Sequence, residues 1–159
     1  SHCLADEDGI GGAVVDNNKG FKVFIANSSP LPKDPLTEED ENYASLKAQC
    51  SYKLAEKVNK HELAIDIEPN QFKSEVNGIT YEVFKEMLIE ELEAIKSKDK
   101  DDDKKLKVRT KEEVKEEIGR SPDFSDTLMM RMFFEYKQRL DGPSFSIFKP
   151  TWTGYGRRG

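Results

Sequence analysis

The sequence predicts an α/β domain, and three features of its 159 residues point there. Two strand-forming segments near the start, residues 3–5 and 21–26, are joined by a connection with room for only one short helix. Two stripes with helical spacing follow, over 42–59 and 79–96. A further helix opens at Ser121-Pro122-Asp123. Strand, short helix and strand in close succession form a parallel crossover, which places helices against the faces of a sheet.

Each element has a local reason. Cys3-Leu4-Ala5 is an apolar stub that runs into the turn Asp6-Glu7-Asp8-Gly9-Ile10-Gly11-Gly12. Ala13-Val14-Val15-Asp16 starts a short helix with Gly20 as its stop. Phe21-Lys22-Val23-Phe24-Ile25-Ala26 is β-branched, aromatic and bounded by turn residues, so it reads as the best strand in the chain. Residues 27–40, with three prolines, form a long loop. Over 42–59, Tyr43, Leu46, Cys50, Leu54 and Val58 make one helical stripe; over 79–96, Val83, Met87, Leu88, Leu92 and Ile95 make another. Between them, 63–67 reads as a short strand that would pair with 106–109. Residues 96–105 are a mixed-charge turn, and Thr110 with Glu113 forms a capping box for a short helix ending near Ile118. Ser121 then serves as N-cap, Pro122 as first helical residue and Asp123 as a first-turn acid, with Leu128, Met129, Met132, Phe133 and Tyr136 as the apolar face of the last helix. The methionines are expected to be core rather than ligands. The domain runs over 1–140, with 63–109 as an inserted segment and 141–159 as a flexible tail.

Composition removes several functions. Lys plus Arg is 25 against 31 Asp plus Glu, a net charge of −6, and the summed field of such a chain repels phosphate. A histone-like or ribosomal role is excluded, although a local basic groove is not. The mean hydropathy of −0.75 is low, and no run of about 18 apolar residues exists to span a membrane. Cys3 and Cys50 fit no CxxC spacing, and no signal-peptide pattern opens the chain, which suits a reducing compartment and two small buried or half-buried thiols. With only His2 and His61, imidazole acid–base chemistry and multi-His zinc sites are unlikely choices, so carboxylates must carry any chemistry.

Two acidic places stand where α/β folds put chemistry. Asp6 ends a strand and is followed by a glycine-rich turn, in which Gly9, Gly11 and Gly12 allow close backbone approach. Asp123 and Asp126 are three apart at the start of the last helix and share one face, with Met130 and Phe133 continuing it inward. An aspartate that begins an apolar face is costly unless it is paired or binds a cation. The acidic runs at 38–41 and 99–103 read as solvated surface.

Taken together, these segments resemble a known family. ADEDGIGGAVVD (5–16), followed by a strand and NSSP (27–30), resembles the central motif of the nuclease domain of phage large terminase subunits. SPDFSDTLMMRMFFE (121–135) is similar to the family's last motif, in which an SPDxxDAL-type stretch opens the final helix. ENYASLKAQCSYKLAEKV (41–58) resembles the helix that links the halves in prophage members. The resemblance covers roughly 3–140.

That resemblance implies an RNase H-like mixed sheet with flanking helices, and an endonuclease that cuts concatemeric viral DNA into genome lengths during packaging. It implies two Mg²⁺ or Mn²⁺ ions held by aspartates as a two-metal clamp, an oxygen-only site in keeping with the scarcity of His. Asp6 matches the carboxylate that ends the middle strand, Asp126 the one on the last helix, and Asp123 an additional or outer ligand. Implied partners are double-stranded DNA, the portal protein and the small terminase subunit, in the cytoplasm of a bacterial host and away from membranes. Lys22, Arg120, Arg131 and the tail pair Arg157-Arg158 are the candidate DNA contacts.

The family's first metal aspartate lies on a strand ahead of the central motif, and only Ser1-His2 precedes that motif's strand here. The chain is therefore expected to match the C-terminal part of the nuclease domain, to hold metal weakly and to be nearly inactive alone. It has no GxxxxGK[ST] loop, so the ATPase motor is not expected in it. An open edge at residues 3–5 would favour homodimerisation. Two other readings compete: a non-catalytic docking module of the packaging machinery, and another RNase H-like nuclease of resolvase or transposase type. Convergence of Asp6 with Asp126 separates the nuclease readings from the docking one.

Overall fold

The computed structural model describes residues 3–6, 11–18, 20–31, 42–66, 79–98 and 105–140. The proline-rich stretch over 32–41, the charged turn over 99–104, Ile67 and the tail over 141–159 lie outside the described residues, so the readings made of them stand as expectations only.

The first strand, β1 (Cys3–Asp6), and the second, β2 (Phe21–Phe24), are parallel and joined by helix α1 (Gly11–Asn17), which is the crossover expected from the sequence. Gly20, at φ +104°, makes the turn into β2 in a conformation that a side chain would strain. The register pairs Ala5 with Val23 and Asp6 with Phe24. Asp6 thus stands at the carboxyl end of its strand beside Phe24, which is 1% exposed. Cys3 is exposed rather than half-buried, and Cys50 is buried; both thiols are unbridged.

Helix α2 (Leu46–Asn59) starts four residues later than its stripe suggests, because residues 42–44 are drawn into extended pairing. Ser45 caps it, its hydroxyl accepting from Ala48 N–H at 3.2 Å. The next orphan amides are met from across the fold: Leu46 N–H donates to the Ser28 carbonyl at 2.9 Å and Lys47 N–H to that of Ala26 at 3.0 Å. Buried Gln49 binds both the N–H and the carbonyl of Leu31, at 2.8 and 3.2 Å. The segment that follows β2 is thereby tied to the start of α2.

Helix α3 (Tyr81–Ala94) is capped by Thr80. Leu88 is buried on its inner face, while Val83 of the expected stripe is 41% exposed. The short strands β3 (Ser97–Lys98) and β4 (Lys107–Val108) pair antiparallel. This corrects the expected pairing of 63–67 with 106–109. Residues 62–66 form no strand, and Leu106 instead exchanges hydrogen bonds with the Asn42 carbonyl and Ala44 N–H. A short apolar run needs a free strand edge to become a strand, and β4's neighbours already occupy both of its sides.

Helix α4 (Lys111–Ile118) carries the expected capping box between Thr110 and Glu113, and Gly119 closes it at φ +74°. Helix α5 (Asp123–Leu140) begins one residue later than the Ser-Pro-Asp signal suggests: its first backbone bond runs from Asp126 N–H to the Pro122 carbonyl, so Pro122 and not Ser121 stands at the cap. The core lies where α5 crosses α2 over the sheet, with Phe24, Leu46, Cys50, Leu54, Met129 and Met132 mutually buried. The methionines are core, as expected.

Two stability outcomes follow. Thr110→Ala and Gly119→Ala should each cost about 1 kcal/mol in urea unfolding, the first by losing a cap and the second by forcing a Cβ into left-handed backbone. Lys53 and Lys60, which donate to Glu56, hold its carboxyl down from 4.5 to about 2. A depressed folded pKa contributes stability above the unfolded value that is lost as pH falls from 4.5 towards 2. Because Glu56 is 41% exposed, screening keeps the contribution below about 1 kcal/mol. Glu56→Gln should flatten that part of the acid-stability curve, measured by thermal melts between those pH values.

Candidate metal and phosphate site

A cleft of about 540 Å³ opens at the carboxyl ends of β1 and β2. Asp6 lines it from the end of β1, and Asp126 from the first turn of α5. Phe24 forms part of its floor, with Met129 and Met130 behind Asp126. The two aspartates, 120 positions apart in sequence, therefore meet on one cavity. β1 ends where Phe24 enters the core, and α5 is held against the same core by Met129 and Met132.

Asp126 is flanked by cations. Lys111 Nζ lies 3.1 Å from one carboxylate oxygen and Lys47 Nζ 3.6 Å from the other. Lys47 is placed by the docking of the α2 start on the Ala26 carbonyl, and Lys111 by the Thr110 capping box. Burial alone would lower the Lys111 pKa. The hydrogen bond to Asp126 and the charges of Asp126, Asp123 and Asp6 outweigh it, so the net shift is upward. Lys111 thus feels both cleft aspartates at once.

Asp123 is on the same helical turn but outside the cleft. It is 74% exposed, and its nearest ion-pair contact is Lys111 at 3.9 Å. Glu112 lines the cleft, which the sequence reading missed. Its carboxyl is held below the usual range by its own backbone N–H and by the Thr110 hydroxyl. Among the described residues, no three His, Cys, Asp or Glu side chains lie close enough to form a complete metal cage.

The basic residues at the cleft are not those singled out from the sequence. Lys22 is exposed on β2 and does not line it. Arg131 is 53% exposed and ion-pairs with Glu135 at 3.0 Å. Arg120 is committed elsewhere, to Glu91, to Glu90 at 2.8 Å and to the Met87 carbonyl at 2.9 Å. The cleft instead collects Lys47, Lys98, Lys107, Arg109 and Lys111, and Asn27 of the NSSP segment also lines it. Lys98 pairs with Glu113 and Arg109 with Glu117, so α4 holds the β3–β4 wall in place. Alternating cationic positions on a two-stranded wall were the signal in the sequence, visible once 97–98 and 107–109 are known to be neighbours.

No protein-family model matches the chain, and no curated protein sequence does. Solved structures do match. The nuclease domain of the large terminase subunit gp2 of bacterial virus Sf6 is 27% identical over 81% of this chain, with a TM-score of 0.57. A point mutant of that domain solved with manganese gives the same identity, coverage and TM-score. The mutant with manganese and beta-thujaplicinol gives 26% and 0.56. This chain spans 63–64% of the length of those domains. In sequence and in fold, the chain is similar to the nuclease domain of a phage large terminase subunit.

Proposed function

We propose that this chain is part of a divalent-metal-dependent DNA endonuclease, an RNase H-like terminase nuclease that cuts concatemeric viral DNA during genome packaging. The observation that carries the reading is the convergence of Asp6 and Asp126 on one cleft lined with lysines. It is supported by the similarity to a terminase nuclease domain whose point mutant was solved with manganese and with calcium.

The donor set suits a hard cation, since carboxylate oxygen is the only ligand type that the two strand- and helix-end residues offer. Asp6 and Asp126 would hold Mg²⁺ or Mn²⁺, with Asp123 reachable only as an outer ligand. When bound, such ions supply activation of the attacking water and neutralisation of the leaving oxygen. The chain's own side chains do the rest. Lys111, kept protonated by its carboxylate neighbours, and Lys47 are placed to donate to non-bridging phosphate oxygens. Lys98, Lys107 and Arg109 form a wall that follows a phosphodiester backbone, a contact that is electrostatic and indifferent to sequence. With two cleft aspartates and no complete cage among the described residues, metal affinity in this chain is low and turnover by it alone is slight. Double-stranded DNA is the substrate, and the portal protein and small terminase subunit are the packaging partners in the bacterial cytoplasm; the edge of β1 away from β2, unpaired among the described residues, offers a route to a homodimer.

A second reading, a docking module without catalysis, draws on one observation: Lys47 and Lys111 already balance the charge of Asp126. Calorimetric titration of Mn²⁺ in low salt separates the two. The nuclease reading expects saturable binding with a Kd on the order of 10⁻⁴ to 10⁻³ M, abolished in Asp126→Ala and in Asp6→Ala. Heat changes identical in wild type and both variants would favour the docking module. With supercoiled plasmid and Mn²⁺, the wild type should nick slowly and Asp126→Ala not at all. Lys107→Ala combined with Lys98→Ala should weaken DNA binding and flatten its salt dependence by about two units of slope.

A further inference from the structure

We propose that Glu91 is a positioning residue for Asp126: its buried carboxylate caps α5 from outside and fixes the turn that presents Asp126 to the cleft. The inference rests on the reading of Asp126 as a metal-holding carboxylate.

The first amides of any helix have no intrahelical partner and need another acceptor. At α5 the local sequence does not supply one. Pro122, at the cap, has no side chain that can accept, and the Ser125 hydroxyl is turned back to the Pro122 carbonyl at 3.2 Å. Ser125 is fully buried, so water cannot satisfy its N–H either. The acceptor comes from 34 residues upstream. One oxygen of Glu91 accepts from Ser125 N–H at 2.7 Å, and the other accepts from Arg120. Glu91 is itself 0% exposed.

A carboxylate in that setting is tolerable only when both oxygens are engaged. Arg120 neutralises it and is in turn tethered to the Met87 carbonyl and Glu90. The α5 start adds a favourable partial charge at the point where Glu91 meets it. Ser125 immediately precedes Asp126, so the bond that pins the Ser125 amide also sets the azimuth of Asp126. Each residue of a helix turns by about 100°, and a first turn that frays or slips by one position carries the carboxylate off the cleft. No residue of α3 lines that cleft. Glu91 therefore acts on the site through the elements it binds, directly through the start of α5 and by way of Arg120 through the turn that joins α4 to α5.

The test uses the whole chain and three variants: Glu91→Leu with Arg120→Met, Glu91→Gln, and Asp126→Ala. The double variant replaces the buried pair with apolar groups of similar size, a change that cores often accept without loss of stability. Here it also leaves the buried Ser125 N–H without an acceptor, so the variant should fold but melt below the wild-type temperature, hold Mn²⁺ about tenfold more weakly and exchange the Ser125 amide at least tenfold faster, with α2 amides unchanged. Glu91→Gln keeps an acceptor for Ser125 N–H, so it should retain slow Ser125 exchange and Mn²⁺ binding within about threefold of wild type. If the double variant does not fold, Glu91→Gln decides: fast Ser125 exchange in that folded variant overturns the proposal. A folded double variant with wild-type exchange at Ser125 and wild-type Mn²⁺ affinity overturns it as well. If the wild type binds no Mn²⁺, the metal reading fails, and the Ser125 exchange rates still decide whether Glu91 holds the start of α5.

Discussion

The burial of Phe24 is the contact on which the rest of this structure depends. The parallel sheet has only two described strands of four residues each, too little to form a core by itself. Phe24 closes that gap. Its ring packs among Leu46, Cys50 and Leu54 of α2 and Met129 and Met132 of α5, and Phe133 meets it edge-on at 6.2 Å. Burying a phenylalanine contributes roughly 1.5–3 kcal/mol, but here the contact also sets geometry. Phe24 is in register with Asp6, and α5 carries Asp126 one turn before Met129 and Met130. One apolar contact thus fixes both halves of the acidic pair.

Around that core, helix ends are satisfied across the fold rather than within their own segments. The start of α2 donates to the Ala26 and Ser28 carbonyls, and the start of α5 donates to Glu91. Both helix starts border the cleft, where Lys47 and Asp126 stand. Tying orphan amides to distant acceptors uses necessary hydrogen bonds to orient side chains that have to meet. The arrangement also explains how an acidic chain builds a basic surface. The acids Glu113 and Glu117 of α4 hold Lys98 and Arg109 from behind, which leaves a cationic wall facing Asp6 and Asp126. Net charge describes the far field, whereas phosphate at a cleft meets the near one.

Legibility in the sequence followed the range of the interaction. The crossover, the Thr110 capping box and the end of that short helix at Ile118 were readable because each depends on residues a few positions apart. The strand expected over 63–67 was not formed, since an apolar triplet becomes a strand only beside an available edge, and β4 had taken other neighbours. Pro122 was placed one position too far into its helix because the true acceptor for that helix start, Glu91, lies on another element. Arg120 looked like a surface cation for the same reason: its partners are 29 to 33 residues away.

By itself, the sequence determined most of the element types, the strand-end aspartate and the helix-start aspartate, all of which follow from local composition and spacing. It also carried the motif resemblance, because Asp6 and Asp126 sit in contiguous stretches that keep their character when read alone. Only the tertiary structure decided that these two carboxylates share a cleft, that Asp123 stands outside it, and that Lys47, Lys98, Lys107, Arg109 and Lys111 line it. The reason is physical. Local hydrogen bonding and side-chain spacing set what each segment becomes, whereas the meeting of segments is set by a core whose members, Phe24 and Met129 among them, are a hundred residues apart.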